Sequence, residues 1–222
     1  MDREIHMDTV EEQVYRILLE DIRTLKLPPG SRVNENKIAE DLHVSRSPVR
    51  DAIKRLKGDR IIITIPNKGA FVRKLTPAEM DEMFDARLMM ELYGLENLSP
   101  PLGEVELELF ASLLDRSELA YETRNMSDFM QLDFRLHRGI VALRRNNYIV
   151  GMYENLNWQL YTIYLESEWD RQEFKRVRND HVALINGLLS GDIEAAREHL
   201  TRHITTARKI IVARSGDEFN HS

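Results

Sequence analysis

Along residues 8–25 the apolar positions Val10, Val14, Ile17, Leu18 and Ile22 recur at three- and four-residue steps. That spacing predicts an amphipathic helix with one buried stripe. Pro28-Pro29-Gly30 ends it. Ile38, Ala39 and Leu42 predict a short second helix over 34–43, and Val49, Ile53 and Leu56 a third over 45–58. Ser45 stands at the N-cap position of this third helix, with Pro48 in its first turn. The β-branched run Ile61-Ile62-Ile63-Thr64-Ile65 predicts a strand. Pro66-Asn67-Lys68-Gly69 is a turn signal, and Ala70-Phe71-Val72-Arg73 the returning strand. Three helices followed by a hairpin make a winged helix-turn-helix. Its third helix exposes Arg46, Ser47 and Arg50 at the leading edge, where a recognition helix meets DNA. Its wing tip, Asn67-Lys68-Gly69, is polar and cationic, as a phosphate or minor-groove contact needs.

From Thr76 the pattern changes to helix only. Thr76-Pro77-Ala78-Glu79 is a capping box with proline at the first helical position. Helices are predicted at 77–98, 103–122, 126–143, 146–166, 169–189 and 192–213, with breaks at Pro100-Pro101-Leu102-Gly103, Asn125, Asn146-Asn147 and Gly191-Asp192. The expected architecture is mainly α: a winged helix-turn-helix over 1–75 and an all-α six-helix bundle over 76–222, with a frayed tail after Arg214.

Polar residues interrupt the apolar stripes of this second part. Asp133 and His137 lie one turn apart on the stripe of Phe129, Met130, Leu136, Ile140 and Val141. His181 interrupts Val177, Leu184, Ile185 and Leu188; His203 interrupts Ile193, Ala196, Leu200, Ala207 and Ile210. If the last two helices form an antiparallel hairpin about Gly191-Asp192, His181 and His203 reach similar heights. One carboxylate and three imidazoles facing a bundle core suit a divalent transition metal such as zinc, nickel or manganese. A single core histidine is more often a satisfied hydrogen-bonding residue; four such groups on inward stripes leave a metal site and a structural polar cluster equally open. His199 competes as a ligand but lies to one side of the stripe. Arg87, between Met83 and Met90 on the inner side of the first bundle helix, offers a cation to a carboxylate ligand, with Gly94 leaving that side open; alternatively Arg87 pairs with Glu91, four residues on.

The net charge of −6 argues against a nucleic-acid binder until the chain is divided. Residues 1–75 carry 15 Lys/Arg against 12 Asp/Glu, and residues 76–222 carry 16 against 25. Phosphate therefore meets the N-terminal part. Arg46, Arg50, Lys54, Arg55 and Lys57 cluster on one helix, as a DNA-facing surface or as a solvated face. No apolar run is long enough to span a membrane, no secretory signal segment opens the chain, and there is no cysteine. This agrees with a cytoplasmic protein without disulfides.

Leu27-Pro28-Pro29-Gly30, Ile38-Ala39-Glu40, Val44-Ser45-Arg46-Ser47-Pro48-Val49-Arg50 and Gly69-Ala70-Phe71-Val72, followed by Asp133, His137, His181, Gly191-Asp192 and His203, together resemble the GntR family of bacterial transcriptional regulators. The similarity is to the branch with a FadR-like C-terminal ligand domain. Six helices in place of seven look like its VanR-type subgroup. The resemblance implies a homodimer on a palindromic double-stranded DNA operator, usually a repressor. Arg46, Ser47 and Arg50 would contact bases and phosphates, with Lys68 and Gly69 at the wing. A small carboxylate effector would bind at the metal. Three positions depart from the family pattern: Asn36 replaces an arginine, Asp51 a glutamate, and Arg60 a helix-ending glycine, so that either Gly58 takes over the left-handed cap or Arg60 adds a phosphate contact. A direct metal sensor and a metalloenzyme fused to a DNA-binding head are the alternatives; the second lacks a His-Glu-x-x-His motif.

Overall fold

The computed structural model describes residues 8–96, 98, 102–166 and 170–220. The chain divides into two compact units. One holds the chain up to Leu75 together with Trp158–Glu166; the other holds Thr76–Asn157 and the C-terminal helices.

In the first unit, α1 (Val10–Arg23) starts where the Thr9 hydroxyl accepts the Glu12 N–H at 3.1 Å. Asn34 caps α2 (Glu35–Asp41) through the N–H groups of Asn36 and Lys37. Ser45 occupies the N-cap of α3 (Arg46–Gly58), but its hydroxyl accepts no capping bond. The reason is local: Pro48 stands at the third helical position, whose N–H is the usual donor, and proline has none. Strand β1 (Arg32–Val33), absent from the sequence expectation, pairs with β3 (Gly69–Val72), which also pairs with β2 (Ile62–Ile65). The sheet is antiparallel in the order β1-β3-β2. Val14, Leu18, Ile22, Val49, Ile53, Leu56, Ile62 and Val72 form one core.

The turn from α2 to α3 is closed without glycine. His43 takes φ +53°, Val44 N–H bonds Ala39 C=O at 3.0 Å, and His43 N–H bonds Glu40 C=O. The same paired closure ends α3, and here the expectation about Gly58 needs correction. Gly58 is the last helical residue; it is Arg60 that turns left-handed, at φ +58°, while Ile61 N–H bonds Leu56 C=O at 2.9 Å. Burial of Leu56 and Ile61 supplies the apolar contact of this C-terminal motif and holds Arg60 there.

In the second unit, α4 (Pro77–Leu95) opens on the expected capping box of Thr76 and Glu79. It is followed by α5 (Glu104–Glu122), α6 (Met126–Ala142), α7 (Asn147–Glu166), whose residues from Trp158 on count with the first unit, α8 (Arg171–Ser190) and α9 (Ile193–Asn220). The predicted break at Pro100-Pro101 lies outside the described residues. Where a frayed tail is expected, α9 continues past Arg214 to Asn220. Arg214 pairs with Glu173 on α8 at 2.7 Å, and Ser215 bonds back to Ile211. Along α9 the buried stripe is Ala196, Leu200, Ile204, Ala207 and Ile211, not Ile210.

Two close helix approaches shape the interior. A Cβ on Gly94 would fall on the Ile140 carbonyl of α6. Gly94 therefore does not leave its side of α4 open, as the sequence suggests; the α6 backbone fills the space. A Cβ on Gly187 would lie 2.9 Å from the Ala196 nitrogen, so α8 and α9 approach closely just beside their turn. Gly191 makes that turn at φ +78°, and the Asp192 carboxylate caps α9 at Ala195 N–H.

Candidate functional site

The hairpin of α8 and α9 brings His181 and His203 to the same height, with ring centroids 4.7 Å apart. From α6, His137 stacks on His203 at 5.0 Å and lies edge-on to His181 at 5.5 Å. One turn before it, Asp133 Oδ1 is 3.0 Å from His181 Nε2 and 3.6 Å from His137 Nε2. One ligand atom from each of the four residues lies within 4.8 Å of the other three. The imidazoles are buried, while the Asp133 side chain keeps 12 % exposure.

Three of these imidazole nitrogens, His137 Nε2, His181 Nε2 and His203 Nδ1, are buried without a hydrogen-bond partner. Buried polar atoms are rarely left so. His181 Nε2 comes close to Asp133 without the alignment of a hydrogen bond. Burial drives His203 down to about 3 and lowers His181, which keeps both rings neutral and able to donate lone pairs. Burial acts against the Asp133 carboxylate too, but the neighbouring His137 and His181 outweigh it, and Asp133 ionises well below the usual range. A neutral-imidazole and carboxylate set converging on one point matches the donor chemistry of a divalent transition metal.

The residues around this cluster were not legible as site residues. Glu91 on α4 is fully buried. Its Oε2 bonds His137 Nδ1 at 2.5 Å, and its Oε1 accepts from Arg87 Nε at 2.7 Å and from the Tyr153 hydroxyl at 2.6 Å. With Nδ1 engaged, Nε2 is the nitrogen His137 presents to the cluster. Burial alone would raise the Glu91 carboxyl; His137, Arg87 and Tyr153 together hold it at about 2. Burial also depresses His137, but Glu91 and Asp133 outweigh it and raise its affinity for a proton. Arg87 is therefore not an open cation: of the two sequence readings, the pair with Glu91 is formed, at 1 % exposure for Arg87. Asp180, one residue before His181, lies 3.9 Å from His203 Nδ1 and is bridged by Arg202 and Arg176. His199 bonds Arg202 and stands outside the cluster.

In the first unit Arg46, Ser47, Arg50 and Lys68 are exposed, and Gly69 turns the wing at φ +107°. Arg50 leans on Glu35 of α2 at 3.6 Å. The cationic face is narrower than the sequence suggests. Arg55 points back to α1, where it pairs with Glu12 and covers the Tyr15 ring at 3.8 Å. Lys54 pairs with Asp51. Arg46, Arg50, Lys54, Arg55 and Lys57 are all exposed on that helix, Lys54 and Arg55 within these surface pairs.

A winged helix-turn-helix joined in one chain to a helical unit is the architecture of a class of DNA-binding regulators. The comparisons are specific. The model of "Bacterial regulatory proteins, gntR family" matches residues 10–72, and that of the "FCD domain" matches residues 82–206, more than half of the chain. The chain belongs to the gntR family of bacterial regulatory proteins and carries an FCD domain. It is a transcriptional regulator, and the enzyme alternative falls away, because the family and the relatives are regulators. It is 29 % identical to the gluconate operon transcriptional repressor of Bacillus licheniformis, over 73 % of this chain and 69 % of that protein. It is 24 % identical to the HTH-type transcriptional repressor RspR of Escherichia coli K12, over 88 % of this chain and 86 % of that one. A GntR transcriptional regulator from Rhodococcus sp. RHA1 shares the fold with a TM-score of 0.82 at 24 % identity, covering 91 % of this chain and 97 % of that one. Among the described residues no helix is long and apolar enough to cross a membrane.

Proposed function

We propose that this regulator is a metabolite-responsive repressor in which Asp133, His137, His181 and His203 hold a divalent transition metal and a small organic acid is sensed at that metal. The observation that carries the reading is the convergence of four ligand atoms within 4.8 Å, three of the buried imidazole nitrogens there lacking a hydrogen-bond partner. Zinc, nickel and manganese are the candidates. A bound metal would supply open coordination positions and positive charge for a carboxylate. The chain's own part is to orient the four ligands and to exclude water. Three helices contribute them: α6, α8 and α9.

The N-terminal unit acts on DNA in the cytoplasm. Arg46, Ser47 and Arg50 read or grip the major groove from α3, and Lys68 and Gly69 contact phosphate from the wing. A homodimer of the VanR type on a palindromic operator fits this arrangement, since each head supplies one recognition helix per half-site. The acid must bind the DNA-competent and DNA-incompetent states with different affinity, or it changes nothing.

The deciding experiment is metal content by plasma mass spectrometry on tag-free protein, with His137→Ala alongside and operator binding followed with and without chelator. About one metal per chain, absent from the variant, supports the site. No metal after reconstitution overturns it and leaves the DNA-binding assignment intact. Operator affinity that follows metal concentration, with no acid added, selects direct metal sensing over acid sensing.

A further inference from the structure

We infer that Arg32 is a DNA-phosphate contact, so that the surface meeting DNA runs from the wing across β1 to the head of α3. This rests on the DNA contacts proposed above. The two residues of β1 face opposite ways: Val33 is buried in the core, so Arg32 points to the solvent side of the sheet. There it stands opposite Phe71 of β3, which in turn stands opposite Ile63 of β2. One diagonal step toward the wing turn is Gly69, and the guanidinium lies in the gap that this glycine leaves. A Cβ there would touch it, 3.5 Å from Nε and 3.6 Å from Nη2. Gly69 directly follows Lys68, so β1 and the wing turn bring their cations to the same end of the sheet. Beyond Val33 the chain passes through the cap residue Asn34 to Glu35, which pairs with Arg50 of α3 at 3.6 Å. Arg32 is thus joined to the wing tip by contact and to the leading edge of the recognition helix by a short stretch of chain.

Arg16, Arg23, Lys26, Arg50, Lys54 and Arg55 of the head each pair with a carboxylate. Among the described residues the exposed Arg32 has no such partner, as is true of Arg46 and Lys68, both proposed above to meet DNA. An unpaired surface arginine can replace counterions on phosphate without first giving up an internal pair. Its planar fork of donors suits two phosphate oxygens at once. The pairing of β1 with β3 and the seat on Gly69 restrict the side chain beforehand, so less freedom is lost on binding. A phosphate contact from this position carries no base information; it fixes how the head sits on the duplex.

The test is a fluorescence-anisotropy titration of the full-length protein on two unrelated duplexes of about 30 base pairs, between about 50 and 200 mM salt. No operator is needed, because the phosphate contribution is independent of sequence. Arg32→Gln is expected to make the salt dependence shallower, by about one unit of log–log slope per bound head and equally on both duplexes. Arg32→Lys keeps the charge and should keep the slope. Arg50→Ala and Lys68→Gln are measured beside them, with the melting temperature of every variant. An unchanged slope in Arg32→Gln, when Lys68→Gln or Arg50→Ala lowers it, overturns the inference and leaves the other contacts standing. A slope lost in both Arg32 variants together with a lowered melting temperature also overturns it, since Arg32 would then support the wing itself. If none of the variants changes the slope, the proposed DNA contacts fail and this inference fails with them.

Discussion

The two units use similar charged residues in opposite ways. In the DNA-binding head the arginines proposed to meet DNA are outside, held by a small apolar core of Val14, Leu18, Val49, Ile53 and Leu56. In the helical unit the candidate site is inside: Arg87, Glu91, His137, His181 and His203 are all buried. On the surface a charge is solvated and available to a partner, and its local pairings contribute little to stability. In the interior each charge must be answered by another, and removing one member leaves the other uncompensated. The head can therefore change its polar residues with little effect on its fold, whereas in the helical unit the polar residues are part of the fold.

Four substitutions would break or sharpen that contrast. Glu91→Ala should have the largest effect, destabilising the helical unit by about 3–5 kcal/mol in chemical denaturation, since it removes the buried carboxylate that Arg87, His137 and Tyr153 all bond. A loss below about 1 kcal/mol would mean that water reaches Arg87. Gly94→Ala should cost about 1–3 kcal/mol, because its methyl group meets the Ile140 carbonyl and α4 and α6 must part. Arg50→Ala, in the head, should leave the melting temperature unchanged within error. Operator affinity should fall by about 1–3 kcal/mol in a fluorescence-anisotropy titration, with a shallower salt dependence if the contact is to phosphate. A lowered melting temperature there would show that the 3.6 Å pairing with Glu35 supports the fold. Smallest is Arg60→Gly, expected to stabilise the head by about 1 kcal/mol by removing the left-handed penalty at φ +58°. Weaker operator binding in the same variant would assign Arg60 a phosphate contact.

How far the sequence could be read depends on the kind of signal. Helix existence was legible from apolar spacing, and the capping box at Thr76 from four residues in a row. Helix ends were less so. His43, Arg60 and Arg124 all close helices in left-handed backbone without glycine, so the usual punctuation is missing. Strand β1 has two residues, too few to show any alternation. Of the buried cluster, Asp133 and His137 were visible as an i, i+4 pair, and His181 and His203 from their similar distance to Gly191. Glu91 and Tyr153 had no such signal: they are 46 and 16 residues from His137 in the chain, on α4 and α7, and only packing joins them to it.

By itself, then, the sequence determined most of the helices, the β2–β3 hairpin and the inward placing of Asp133, His137, His181 and His203, because periodicity along one element is a local property. It also carried the family, because short motifs such as Val44–Arg50 are contiguous. Tertiary structure alone decided which charges are spent and which are free. Arg55 looks like part of a DNA-facing stripe until α1 brings Glu12 and Tyr15 against it. Arg87 looks open to a ligand until burial with Glu91, His137 and Tyr153 makes that i, i+4 pair part of the interior. A side chain's charge is written in the sequence, but the dielectric around it and the partner that meets it come from elements far apart in the chain.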